Sequence, residues 1–97
     1  MPKAYWIAHV DVRDPEQYKL YVDGAAPAFV EYGAKFLARG GENLSVDGDD
    51  LGARHVVIEF KDLETAKACF DSETYQKARE HRLPVSTGHI VLVEGVE

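Results

Sequence analysis

A chain of 97 residues, 45% hydrophobic and 29% charged, has ordinary globular composition, which excludes a disordered segment and leads to the expectation of one domain over residues 1–97. Its 17 acidic side chains against 11 Lys and Arg give a net charge of −6, which argues against a nucleic-acid partner, since phosphates need clustered cations. Cys69 is the only cysteine, so no internal disulfide can supplement the modest core of so small a chain; a partner or tight packing must do so.

Residues 4–12 are rich in aromatic and β-branched types over a length suited to a strand. Asp14-Pro15-Glu16-Gln17 reads as a helix start: Asp14 caps the free amides, Pro15 fits the first helical position and Gln17 stands where a capping-box partner belongs. Tyr18, Tyr21, Val22, Ala25, Phe29 and Tyr32 follow at helical spacing. Pro27 and Gly24 predict a kink or break within residues 23–27, and Gly33 is the natural stop. Lys35 to Gly40 is the second strand. Residues 41–53 form a turn-rich connection in which Leu44 and Val46 are candidates for a short extra pairing.

Ala53 to Phe60 is the third strand. Asp62 caps a second helix with Leu63, Ala66, Cys69 and Phe70 facing inward, and Ser72 caps a third that carries Tyr75, Ala78 and Arg82. Pro84 to Gly88 break the chain before a last strand over His89 to Glu94. Strand, helix, strand, strand, helical pair, strand is the order of an α+β, ferredoxin-like βαββαβ chain: a four-stranded antiparallel sheet with its helices on one face and its first and third strands central.

Strand side chains alternate between faces. Trp6, Ala8, Val10, Val12, Phe36, Ala38, Val56, Ile58 and Phe60 form an apolar set that belongs under the helices. The opposite set is Tyr5, Ile7, His9, Asp11, Leu37, Arg39, His55, Val57 and Glu59; the last strand suits either parity. A water-facing side is normally polar, yet Tyr5, Ile7, Leu37 and Val57 cluster here, which predicts a homodimer formed through this sheet face. No apolar run reaches the ~18 residues of a membrane span, and the N-terminus has no signal-peptide core. The expected location is cytoplasmic, with no membrane partner.

Ala4-Tyr5-Trp6-Ile7, Val12-x-Asp14-Pro15-Glu16-x-Tyr18, Tyr32-Gly33, Lys35-Phe36-Leu37-Ala38-Arg39-Gly40-Gly41, Val57-Ile58-Glu59-Phe60, Ser72-x-x-Tyr75-Gln76 and Arg82 closely resemble the uncharacterised domain family numbered 1330, placed in the dimeric α+β barrel superfamily. The likeness spans about residues 4–95. It implies a ferredoxin-like protomer and a homodimer whose sheets close into a barrel, and it implies no reaction. Ala34-Lys35 and Val46-Asp47-Gly48 depart from the usual family pattern.

The candidate ligand site on the second face is His9, Arg39, His55 and Glu59 with Tyr5, joined by His89 if its strand has that parity. Arg39 would grip a small organic acid, and His9 or His55 would serve as a base near neutral pH. The commoner alternative is a polar network in which Arg39 pairs with Glu59 or Asp11. No ligand spacing resembles a metal motif, and no cofactor is implied. Cys69 lies on the inward stripe of its helix, so it reads as packing. Tyr18, Tyr21 and Tyr32 read as core and cavity wall, with Tyr75 and Arg82 flanking a cavity mouth. Two functions are expected: a binder of a small organic molecule or, as the resemblance to a superfamily that includes cofactor-independent oxygenases and small isomerases suggests, such an enzyme for a small aromatic or acidic substrate.

Overall fold

The computed structural model describes residues 2–96. Strands β1 (Ala4–Val12), β2 (Lys35–Arg39), β3 (Arg54–Phe60) and β4 (Ser86–Glu94) form one antiparallel sheet in the order β2-β3-β1-β4, so the first and third strands are central as expected. Helices α1 (Pro15–Glu31), α2 (Leu63–Asp71) and α3 (Glu73–Arg82) complete the α+β, ferredoxin-like arrangement, and a short 3₁₀ turn, Leu83–Val85, leads into β4. That strand starts three residues earlier than the Pro84–Gly88 breaker signal suggested, because Ser86, Thr87 and Gly88 pair with Val12, Asp11 and Val10.

All three helix starts are side-chain caps. The Gln17 N–H donates to Asp14 (3.2 Å), the Thr65 N–H to Asp62 (2.7 Å) and the Tyr75 N–H to Ser72 (3.2 Å). Ser72 also donates its hydroxyl to the Cys69 carbonyl at 2.7 Å, which ties the corner between α2 and α3 from both sides. The Thr65 side chain, then its backbone, holds the Asp62 carboxyl below its ordinary value of 3.8. Depression means that the stabilisation is full above the unfolded value and is lost as pH falls through the folded one. The melting-temperature deficit of Asp62→Ala should therefore be present at neutral pH and shrink once the pH drops below 3.8, which paired thermal melts would read out.

The expected break in the first helix is corrected: α1 runs unbroken through Pro27 to Glu31. Pro27 is exposed, so the carbonyl left without its helical donor lies on the solvent side, where water can satisfy it. Gly24 has a different role. A Cβ there would stand 3.2 Å from the Cβ of Ala78, so the missing side chain is what lets α1 and α3 approach. The helix ends at Gly33, with φ +69, after Tyr32 donates to the Ala28 carbonyl.

The core sits between helices and sheet, centred on Trp6. Its ring lies 5.2 Å from Phe29, 5.0 Å from Tyr75, 5.8 Å from Phe70 and 6.1 Å from Phe60, centroid to centroid. Ala4, Trp6, Ala8, Val10, Val56, Ile58 and Phe60 are buried on this face, as the alternation requires. Leu44 and Val46 form no strand. Both are exposed in the connection after β2, whose ends are drawn together where the Asn43 side-chain amide donates to the carbonyls of Gly41 and Ala53.

Candidate functional site

The sheet register divides the predicted cluster. His9 faces His55 on one side and His89 on the other, so β4 has the parity that puts His89, Val91 and Val93 on the outer face. His9 and His55 touch through their Nδ1 atoms at 2.8 Å, so one ring carries a proton there and the other accepts it. Tyr5 and Glu59 are paired with each other four residues along from His9 and His55, roughly 13 Å away at strand spacing. Glu59 is engaged by Lys3 at 3.5 Å. Among the described residues no group of three or more His, Cys, Asp or Glu side chains is placed to hold a metal ion.

Arg39 is not in that cluster, and a β-bulge is the reason. Phe36 pairs with Ile58, but Ala38 pairs with Val57 and Arg39 with Val56, so one extra residue sits between Phe36 and Ala38. Beyond the bulge the alternation inverts, and Arg39 shares the helix side with Phe36, its guanidinium 4.3 Å from that ring's centroid.

There Arg39 meets two further arginines. Arg54 opens β3 with the parity of Val56, and Arg82 closes α3. With Trp6, Val10, Tyr18, Tyr21, Val22 and Phe36, the three line one chamber of about 40 Å³ between helices and sheet. The ends of β1, β2 and α3 and the beginnings of β3, β4 and α1 converge at this side of the sheet. Arg54 lies 5.6 Å from the centroid of Tyr18, and Arg82 5.4 Å from that of Tyr21. The Nε atoms of Arg54 and Arg82 are buried without a hydrogen-bond partner. Tyr21 and Tyr75 share a 3.0 Å hydroxyl contact. Burial raises both phenols; Tyr75 adds repulsion at Tyr21, while at Tyr75 the Tyr21 hydrogen bond and the Arg82 charge pull the other way. Both are neutral hydroxyls at physiological pH rather than bases.

The outer histidines border a different space, an open cleft of about 370 Å³ between the His9–His55 pair and the connecting loop 43–51. It is the more open of the two spaces, and the two imidazoles pair there through their Nδ1 atoms. Of the three buried arginine Nε atoms without a partner, those of Arg54 and Arg82 belong to residues lining the inner chamber, and that of Arg79 does not. Arg54 was missed by sequence reasoning although a signal existed, a cation at the core parity of Val56, Ile58 and Phe60.

Cys69 is fully buried, and burial followed by the Glu31 charge pushes its thiol up to about 12. It should resist iodoacetamide at mildly alkaline pH and react only once denaturant opens the fold, as mass spectrometry of the alkylated protein would show.

Fold and cavity together define a ferredoxin-like protein with a chamber under its helices. The chain belongs to the family described as a domain of unknown function, DUF1330, which matches residues 3–96. No curated protein matches it. Among solved structures it resembles a protein of unknown function from Rhodopseudomonas palustris (TM-score 0.79, 15% identity, covering 99% of this chain and 84% of that one). The cofactor-independent oxygenase SnoaB from Streptomyces nogalater is also similar (TM-score 0.67, 13% identity, 100% and 96% covered). So is a dimeric ferredoxin-like protein of unknown function from Thermobifida fusca (TM-score 0.64, 17% identity, 97% and 92% covered). Such identities establish the fold alone. No helix among the described residues is long and apolar enough to cross a membrane.

Proposed function

We propose that the protein is a homodimer that binds a small organic molecule in the chamber between its helices and its sheet. The observation that carries this reading is the chamber itself, a partly open space walled by aromatic rings whose lining includes Arg54 and Arg82, each with a buried Nε that has no partner. At about 40 Å³ it holds more than the ~10–15 Å³ a single water needs, but less than a drug-sized ligand does. A ligand larger than the chamber would have to part its walls, and Arg39, exposed and lying over Phe36, is the lining side chain with the most freedom to shift. Thermal-shift screening of small organic molecules should yield a stabilising compound whose effect disappears in Val22→Trp, which fills the chamber. A compound equally effective on that variant would place binding elsewhere.

Pairing uses the outer face. Val57, Ile7 and Val91 form a continuous apolar row over three strands, flanked by Tyr5, Val93 and Leu37. The Thermobifida relative, described as dimeric, supports the same assembly. Light scattering should give twice the 10.8 kDa chain mass, and Ile7→Lys combined with Val57→Lys should return the monomer value. A monomer before mutation would sink the pairing.

The oxygenase or isomerase reading draws on the likeness to SnoaB. The chamber lining offers no carboxylate or imidazole, so a reaction there would need a substrate already ionised at neutral pH. Oxygen uptake by the purified protein with phenolic acids would favour this second reading.

A further inference from the structure

The charge balance around the chamber is at odds with the rest of the chain. The protein carries a net charge of −6, yet three arginines line one partly open space. The ion pairs formed among the described residues are Lys3 with Glu59, Lys67 with Asp71 and Lys77 with Glu73; none engages Arg39, Arg54 or Arg82. Arg82 is only 5% exposed. Burying a cation without a counter-charge is costly, and a chain with 17 acidic residues had ample means to supply one. The guanidinium groups lie instead against the rings of Phe36, Tyr18 and Tyr21, contacts that soften desolvation without neutralising charge.

The backbone makes room for Arg54: a Cβ on Gly40 would stand 2.5 Å from its Nη1, while one on Gly88 would meet Nη1 of Arg82 at an ordinary contact distance of 3.4 Å. Gly40 has φ +66, so a side chain there would meet backbone strain as well as the guanidinium. Two of the three cations thus lie across glycines, Gly40 just after β2 and Gly88 near the start of β4.

We infer that the ligand of this chamber is a small organic carboxylate with a flat apolar body, its charge taken by Arg39, Arg54 and Arg82 and its body by the rings of Trp6, Tyr18, Phe29 and Phe36; this rests on the chamber being the binding site. The donors stand at one end and the remaining wall is almost wholly apolar. A carboxylate presents two oxygens on one side, which guanidinium forks match in pairs. A phosphate presents oxygens in every direction and would leave some facing hydrocarbon.

The test uses matched pairs of equal shape and different charge: acetate against acetamide and benzoate against benzamide, with inorganic phosphate as a third arm. Binding is followed by the side-chain Nε–H resonances of Arg54 and Arg82 and by Trp6 fluorescence. Each carboxylate is expected to bind at least about tenfold more tightly than its amide, since one lost charge-assisted hydrogen bond suffices for that factor. Arg54→Met and the more exposed Arg39→Met should erase that preference while leaving the melting temperature in buffer unchanged or higher, because neither residue is held in an ion pair. Equal binding of carboxylate and amide would overturn the anion assignment and leave the chamber as a neutral-ligand site. Phosphate binding as tightly as benzoate would overturn the carboxylate class. A carboxylate preference that survives both arginine variants would overturn the assignment of these residues. If none of the compounds perturbs the Arg54, Arg82 or Trp6 signals, the chamber itself is not the site and both readings fall.

Discussion

Trp6→Ala is expected to cost about 3–5 kcal/mol, the range for removing a large buried aromatic. The ring is 1% exposed and touches aromatic side chains from α1, β3, α2 and α3, so no single element can move in to fill the void. A chain of this size has a total stability of about 5–15 kcal/mol. The loss therefore removes about a fifth or more of it and lowers the melting temperature by roughly 12–40 °C. Circular dichroism melts would measure the drop, with Val30→Ala as a surface control because Val30 is 79% exposed. A deficit for Trp6→Ala no larger than the control's would mean that the four elements do not share one core.

Gly52→Ala should have the next largest effect. Gly52 has φ +107, and its Cβ would fall 2.5 Å from the Val10 carbonyl oxygen and 2.7 Å from the Asp11 nitrogen. Strain at such a backbone conformation costs about 1–3 kcal/mol, and the clash adds to it because the obstructing atoms belong to the central strand. Gly48→Ala separates the two effects: its φ is +84, yet nothing lies within 4 Å of the added carbon. The Gly52 variant should melt well below the Gly48 variant. Equal melting temperatures would show that the connection shifts freely away from β1.

The sequence carried the frame of this molecule where local chemistry decides structure. Asp14, Asp62 and Ser72 each sit at a helix start with the expected hydrogen bond, and the alternation from Trp6 to Val10 and from Val56 to Phe60 buries the residues it should. It misled where a tertiary event leaves no local mark. Lys35 to Arg39 reads as an even alternation, with no glycine to signal the bulge, so Arg39 was assigned to the histidine face when it belongs to the helix face. Pro27 misled for the opposite reason: a strong local breaker matters less where the freed carbonyl can meet water. The chamber was half legible. Of Tyr18, Tyr21, Tyr32, Tyr75 and Arg82, expected at a cavity wall or mouth, Tyr18, Tyr21 and Arg82 line the chamber and Tyr32 and Tyr75 do not; Arg39 and Arg54 join them through pairing between distant strands.

The extra residue in β2 has a further effect on the outer side of the sheet. β2 is an edge strand, and edges with regular, evenly spaced amides and carbonyls invite other chains to extend the sheet. A bulge within a five-residue strand spoils that spacing, and Gly40 at φ +66 turns the chain away directly afterwards. An incoming strand would find no uninterrupted ladder to copy. The same irregularity that turns Arg39 toward the chamber therefore protects this border from runaway fibre growth.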